Sequence, residues 1–386
     1  NGAFAGEFGD PHIQNTDLEG GQTAPSIRTL SKIIENLLVS RREKLTLFEK
    51  EDVTKVKRII KDLLLAAEID GEKDAVKDLK VFPGFIKSFQ QRIEELKDGQ
   101  RIVFTGGWSD KSGGHAIMHM AEREKGDYIF CIINTGQGVE YHPSTKKWFP
   151  KTKHKVAIAI KGIPPKRFLD PAVWLLFWKL RVTHKKENDM EQMYEVLLPH
   201  LANGPLAQAV QAAEQSGFVG DYETIQRSGT CYYRCVLSTL RYLMKRDGFS
   251  ALQRKQFFFQ IRCAYLDRVG EDLVKESKAG NILKDSDVRM IRVACNQTAM
   301  AALKEQKRGN LDSKGLGVVQ NHINRIQGLV KETSEVTDFE NMQKLGMEFS
   351  NRYIAYAGFG LVADDRKTDG LKGGPTEAVP ELFVDL

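Results

Sequence analysis

Two short blocks of this sequence hold side chains able to do covalent chemistry. The first is Tyr222-Glu223-Thr224-Ile225-Gln226-Arg227-Ser228-Gly229-Thr230-Cys231-Tyr232-Tyr233-Arg234-Cys235, followed by Val236, Leu237, Leu240 and Leu243 at helical spacing. Cys231 is therefore expected at or near a helix N-terminus. Free backbone N–H groups and the helix dipole favour an anion there, which raises the thiolate fraction of a cysteine. Gly229 allows a turn conformation closed to other residues. Gln226 is placed to loop back, so that its amide joins the Cys231 backbone N–H in holding a developing oxyanion. Cys235, one helical turn deeper, reads as a packed core thiol.

The second block is Gly106-Gly107-Trp108-Ser109-Asp110-Lys111-Ser112-Gly113-Gly114-His115, a Gly-rich loop running into a strand. A two-residue turn at Lys125-Gly126 would fold the chain back into a hairpin. Pairing residue 124 with 127 sets Asn134 diagonal to His115, with about 7–8 Å between backbone positions. A turn at Glu124-Lys125 would instead put them directly opposite. Either register leaves His115 and Asn134 on one face; a three-residue turn would not. An Asn oxygen that accepts from one imidazole nitrogen fixes the tautomer and aims the other nitrogen at a nucleophile. The orienting group is Asn134 or a nearby acid such as Asp127. His119 shares the strand face of His115 and is its understudy as base; His142, beside Pro143, reads as a loop residue.

Each block has a plainer reading. Cys231 would be a buried structural thiol, and His115 and Asn134 would make local hydrogen bonds at strand ends. Together the blocks point to a thiol hydrolase, with Cys231 as nucleophile and His115 as general base.

The elements that must position these residues fall into three regions. Residues 26–96 have helical periodicity, with Asp70-Gly71 and Pro83-Gly84 expected to break the helices apart. From about 100 to 162 the pattern is short and β-rich, with strands expected at 101–105, 115–123, 128–134 and 156–160. After Pro164 it is helical again, through a Trp-rich helix starting at Asp170-Pro171 and long patterns over 231–245, 251–275, 285–307 and 318–359. The expected class is α+β: a small antiparallel sheet packed with a large helical portion. The expected organisation is a flexible segment 1–25, a helical region 26–98, a catalytic α+β core with a helical insertion 99–250, a C-terminal helical region 251–362 and a flexible tail 363–386. Phe257-Phe258-Phe259 is expected in a helix core.

Composition narrows the function classes. The chain has 386 residues and a net charge of +6. Its basic residues are spread rather than concentrated and interleaved with aromatics, so a nucleic-acid partner is not expected. No apolar run reaches the roughly 18 residues of a membrane span, and residues 1–21 lack the order of a signal peptide. Five cysteines scattered through apolar segments argue for a reducing, cytoplasmic setting. Cys231 and Cys235 have no second pair at ligand spacing, so no metal is expected. Gly136-Gln137-Gly138 lacks the third Gly and helix of a phosphate loop, so no nucleotide cofactor is expected either.

The residues resemble a known superfamily. Gln226-Arg227-Ser228-Gly229-Thr230-Cys231-Tyr232 is similar to the nucleophile box of papain-like cysteine peptidases, and its Gly-Thr-Cys-Tyr string to that of ubiquitin-specific proteases. Gly114-His115-Ala116, followed by 128–134 and Gly136, resembles the His and Asn/Asp strands of the same superfamily. His115 and Asn134 precede Gln226 and Cys231, the order of Ulp-type SUMO proteases and related bacterial effector deubiquitinases. Those proteases usually have Asp for Asn134, Trp for Ala116 and Gly for Tyr232. The resemblance covers two blocks and implies a papain-like fold. Its implied activity is a peptidase or isopeptidase whose protein substrate is a ubiquitin or ubiquitin-like conjugate. The alternatives are another Cys–His acyl-transfer enzyme (deamidase, transglutaminase or acetyltransferase) and a non-catalytic helical protein-interaction module.

Overall fold

The computed structural model describes residues 22–40, 48–72, 78, 80–110, 113–145, 152–182, 189–218, 220–225, 231–279 and 285–333. By internal contacts the chain divides into two units, Asn1–Glu35 with Glu49–Phe249, and Asn36–Phe48 with Ser250–Leu386. It is α+β, with two small antiparallel sheets.

In the first unit three helices come before the sheet: α1 (Thr23–Val39), α2 (Lys50–Gly71) and α3 (Phe82–Glu94). Pro83 and Gly84 do not separate helices. They lie in the first turn of α3, where the missing proline N–H has no intrahelical partner to lose. The main sheet then runs through β1 (Arg101–Asp110), β2 (Gly113–Glu124) and β3 (Asp127–Ile133). A second, three-stranded sheet begins with β4 (Ser144–Thr145) and β5 (Lys153–Lys155), and β6 (Ala157–Ile163) returns to the main sheet, whose order is β1-β2-β3-β6. Helix α4 (Pro171–Val182) follows, started as its sequence suggests by Asp170, whose Oδ1 accepts the Ala172 N–H at 2.9 Å. A helical run over 189–202, π-helical at Gln192–Leu197, leads to α5 (Leu206–Gln215). Strand β7 (Tyr222–Thr224) completes the second sheet beside β5, and α6 (Cys231–Arg246) closes the unit.

Strand alternation gives the main sheet two faces. On one, Phe104, Ile117, Phe130 and Ile160 join Phe89 of α3 and Trp174, Phe177 and Trp178 of α4 in one buried cluster, with the His119 ring against Phe104 and Phe130. Its rings meet largely edge-to-face, as at Phe89–Phe104 (5.0 Å, 77°) and Phe89–Trp178 (5.4 Å, 88°), the arrangement ring quadrupoles favour. Fully burying each such side chain contributes about 1.5–3 kcal/mol. On the other face lie α2 and α6. Arg101 of β1 bonds Asp62 of α2 at 2.8 Å and Asp247, just past α6, at 2.8 and 2.9 Å. Arg246 of α6 grips Glu122 of β2 with two hydrogen bonds. Strand β7 is held to α6 by Glu223, which accepts from Ser238 Oγ at 3.2 Å and pairs with Arg241, and Asp221 next to the strand pairs with Lys245.

The second unit contains α7 (Ala251–Lys278), α8 (Asp285–Lys307) and α9 (Ser313–Thr333), packed on one another. Phe257, Phe258 and Phe259 are all buried. Asp267 ties α7 to α9 through His322 Nδ1 at 3.0 Å and Arg325 at 2.8 Å. The helical pattern expected over 318–359 is described only to Thr333, and the expected tails 1–25 and 363–386 fall outside the described residues except at 22–25, where α1 begins. No helix among the described residues is long and apolar enough to cross a membrane.

Candidate active site

The hairpin that carries His115 has the register of a turn at Lys125-Gly126. Lys125 and Gly126 both take positive φ (53° and 85°), as a two-residue I′ turn requires, and β2 and β3 pair from Glu124↔Asp127 to Met118↔Ile133. Asn134 follows directly, its own N–H donating to the Val156 carbonyl at 3.0 Å. The block 106–115 is not a loop into a strand. Residues to Asp110 stay in β1, with Trp108 opposite His115, because ladder pairing with β2 outweighs the glycines' weak strand preference.

The structure brings His115 and Asn134 together. His115 Nε2 and Asn134 Oδ1 are 2.8 Å apart, with the histidine 8% exposed and the asparagine fully buried. Asn134 Oδ1 also accepts the Gly136 N–H at 3.0 Å, and its Nδ2 donates to the Gln137 carbonyl at 2.7 Å. The indole of Trp108 lies against the imidazole (centroids 5.0 Å, 39°) and donates its N–H to Gln137 Oε1 at 3.1 Å. Burial lowers the His115 pKa below its ordinary 6.5, outweighing the Asn134 bond and the Glu140 charge that raise it. The ring is thus neutral at pH 7. Asp127, the other orienter considered, sits at the turn end of β3 opposite Glu124, at the far end of the hairpin from His115.

Cys231 is the first residue of α6 and is 7% exposed. Its Sγ lies 4.0 Å from the Gly114 carbonyl oxygen, one residue before the histidine. The side of the strand can be worked out. A Cβ on Gly107 of β1 would stand 1.9 Å from the His115 oxygen, so that carbonyl points toward β1. Successive carbonyls in a strand point to opposite sides, so Gly114 offers its oxygen to the edge beyond the end of β3. Asn134 lies past that same end. No hydrogen bond joins the thiol to the His115 ring: Cys231, at the start of α6, meets β2 at Gly114, one residue before His115, and the expected pair is not engaged. Gln226, the expected oxyanion donor, lies outside the described residues.

One reading needs correction. His119 is no understudy. Its ring is sealed between Phe104 (5.6 Å) and Phe130 (5.2 Å), with Phe177 edge-on at 4.8 Å, and neither ring nitrogen has a hydrogen-bond partner. Burial lowers its pKa to about 3. His142 does lie in a bend outside the helices and strands, and it is buried there, with Nδ1 2.6 Å from the Lys155 carbonyl. Cys235 is a buried core thiol, and burial pushes its pKa up. Sequence reasoning gave no role to Trp108 or Tyr194, whose ring stands edge-on to Trp108 at 6.3 Å and stacks on Tyr141 at 4.7 Å. A large aromatic inside a Gly-rich block was the available signal for Trp108; Tyr194 had none.

Among the described residues no group of three or more His, Cys, Asp or Glu is placed to hold a metal ion. Set against known proteins, the chain matches no protein-family model, no curated protein and no solved structure.

Proposed function

We propose that this chain is a thiol hydrolase of papain-like type, with Cys231 as nucleophile, His115 as base, Asn134 as orienter and Gln226 as oxyanion donor. The observation that carries the reading is the buried 2.8 Å bond between His115 Nε2 and Asn134 Oδ1, with a helix-starting thiol against the residue before the base. The bond fixes Nε2 as the protonated nitrogen and leaves Nδ1 to accept a proton. Because burial keeps the ring neutral, the base takes the thiol proton during attack.

The Cys231 proton moves to His115 Nδ1 while sulfur bonds the substrate carbonyl carbon, and the Gln226 amide and the Cys231 backbone N–H hold the oxyanion. The C–N bond breaks, and Nδ1 returns its proton to the leaving amine. Water then attacks the thioester, giving a proton to Nδ1, and the acid leaves as the thiol re-forms. Before the first step the thiol must turn from the Gly114 carbonyl onto Nδ1; catalytic hydrogen bonds often close only in the substrate complex.

The substrate class we propose is a ubiquitin or ubiquitin-like conjugate, supported by the resemblance of the Cys block and by the chain order His115, Asn134, Gln226, Cys231. The test is a ubiquitin C-terminal electrophile on the folded protein, with the adduct mapped by mass spectrometry. An adduct on Cys231 that is lost in Cys231→Ala is expected. Its absence, with ammonia release or acyl transfer instead, would move the chain to a deamidase or transferase on the same Cys–His pair.

A further inference from the structure

Beyond its bond to His115, Asn134 continues into a buried polar chain. Its Nδ2 lies 3.0 Å from the Tyr194 hydroxyl, in addition to the Gln137 carbonyl. The same hydroxyl lies 2.9 Å from His142 Nε2, and His142 Nδ1 meets the Lys155 carbonyl at 2.6 Å. Three side chains, Asn134, Tyr194 and His142, thus join His115 to the main chain of β5.

The far end of this chain dictates the direction of every proton in it. A backbone carbonyl can only accept, so His142 Nδ1 carries the hydrogen that Lys155 receives. A neutral imidazole has one N–H, so His142 Nε2 is bare and accepts. Burial, which lowers His142 to about 4, keeps that ring neutral. Tyr194 therefore gives its hydrogen to His142, and its oxygen can only accept from Asn134. The Gln137 carbonyl claims the other Nδ2 hydrogen. Both amide hydrogens are committed, and the Asn134 oxygen must face His115 and the Gly136 N–H. An oxygen facing Nε2 requires an N–H there. The charges that bear on these groups are Glu140 on His115, Glu140 with the Tyr141 hydroxyl on Tyr194, and His154 on His142.

We propose that Tyr194 and His142 are positioning residues that, through Asn134, hold His115 in the Nε2–H tautomer and so leave Nδ1 bare for the Cys231 proton. The tautomer follows from the chain of bonds itself; its use on Cys231 rests on the thiol-hydrolase reading.

The experiment is ¹⁵N NMR of the histidine rings in the full chain, wild type and Tyr194→Phe, with Cys231 alkylation rates across pH on the same samples. Wild type is expected to show His115 as Nε2–H and His142 as Nδ1–H. Tyr194→Phe keeps the ring and its stack on Tyr141 but removes the hydroxyl. It should give His115 a measurable share of the other tautomer, shift the pH profile and slow alkylation on the order of tenfold. A wild-type His142 protonated at Nε2 overturns the proposal without any variant. So does a Tyr194→Phe protein whose His115 tautomer is unchanged. If wild-type Cys231 is inert while the ring signals behave as described, the lock stands and the hydrolase reading falls.

Discussion

At Gly138 the backbone has φ +85°, and a Cβ there would lie 2.7 Å from the Tyr194 ring and 3.3 Å from Asn134 Nδ2. Gly99 has nearly the same φ, +80°, with nothing within 4 Å of its Cβ. Alanine at either site incurs the left-handed penalty of roughly 1 kcal/mol, but only Gly138→Ala also pushes on the groups that aim His115. Gly138→Ala is therefore expected to slow Cys231 alkylation by tenfold or more, on the order of a positioning loss, while Gly99→Ala leaves the rate within about twofold. Equal effects would show that the contact does not matter. At this scale the sequence spoke clearly only where partners are local. His115 and Asn134 were legible because one hairpin turn sets their register. His142 and Tyr194 were not, because they meet across 52 residues of sequence and no local period reports such a contact. Face-sharing gave His119 its direction but not its depth, and depth disqualifies it.

Helix α6 sets where the thiol stands, so the contacts that fix the helix on the sheet matter more than those at its start. Arg246 on Glu122 and the Arg101 cluster act at its far end. The two carboxylates around Arg101 are not equivalent. Burial raises the Asp62 pKa in spite of Arg101, whereas at Asp247 the same burial is outweighed by hydrogen bonds from Arg101 and Arg58 and the pKa is lowered. Asp247 is the firmer partner. Asp247→Ala leaves a nearly buried guanidinium half-paired and should cost about 3 kcal/mol in urea unfolding; a loss under about 0.5 kcal/mol, the level of an ordinary surface change, would contradict the assignment. Long elements were visible in advance, since α6, α7 and α8 announce themselves by helical spacing. The second sheet was not: β4, β5 and β7 span two or three residues each, too short for any period to show. The end of β1 was hidden by its Gly-Ser-Asp composition, which reads as loop until β2 pairs with it.

The whole molecule carries an acid liability in its first unit. His115, His119 and His142 are all buried neutral there, the latter two with pKa values of about 3 and about 4. The unfolded chain takes protons on these rings near pH 6.5 and the folded chain does not, so stability is full above that pH and falls as pH drops toward 3. His119 alone corresponds to a loss on the order of 4 kcal/mol over that window. Melting temperatures measured from pH 7.5 to 4 should fall steadily, and His119→Leu should flatten the fall; a flat wild-type profile would contradict these pKa directions. The α+β class was readable from the switch between helical and strand periodicity along the chain. The depth of these rings was not, because it arises only when α3 and α4 close over the sheet.

The measurement closest to the central claim is the iodoacetamide alkylation rate of each cysteine in the folded protein, in wild type and in His115→Ala. All five cysteines are buried, so Cys131, Cys235, Cys263 and Cys295 serve as internal references for Cys231. Cys231 is expected to react fastest at pH 7, and loss of His115 to slow it by about a hundredfold, the scale of a missing general base. A Cys231 no faster than the other four, or one whose rate ignores His115, would contradict that claim and favour a non-catalytic role for the chain.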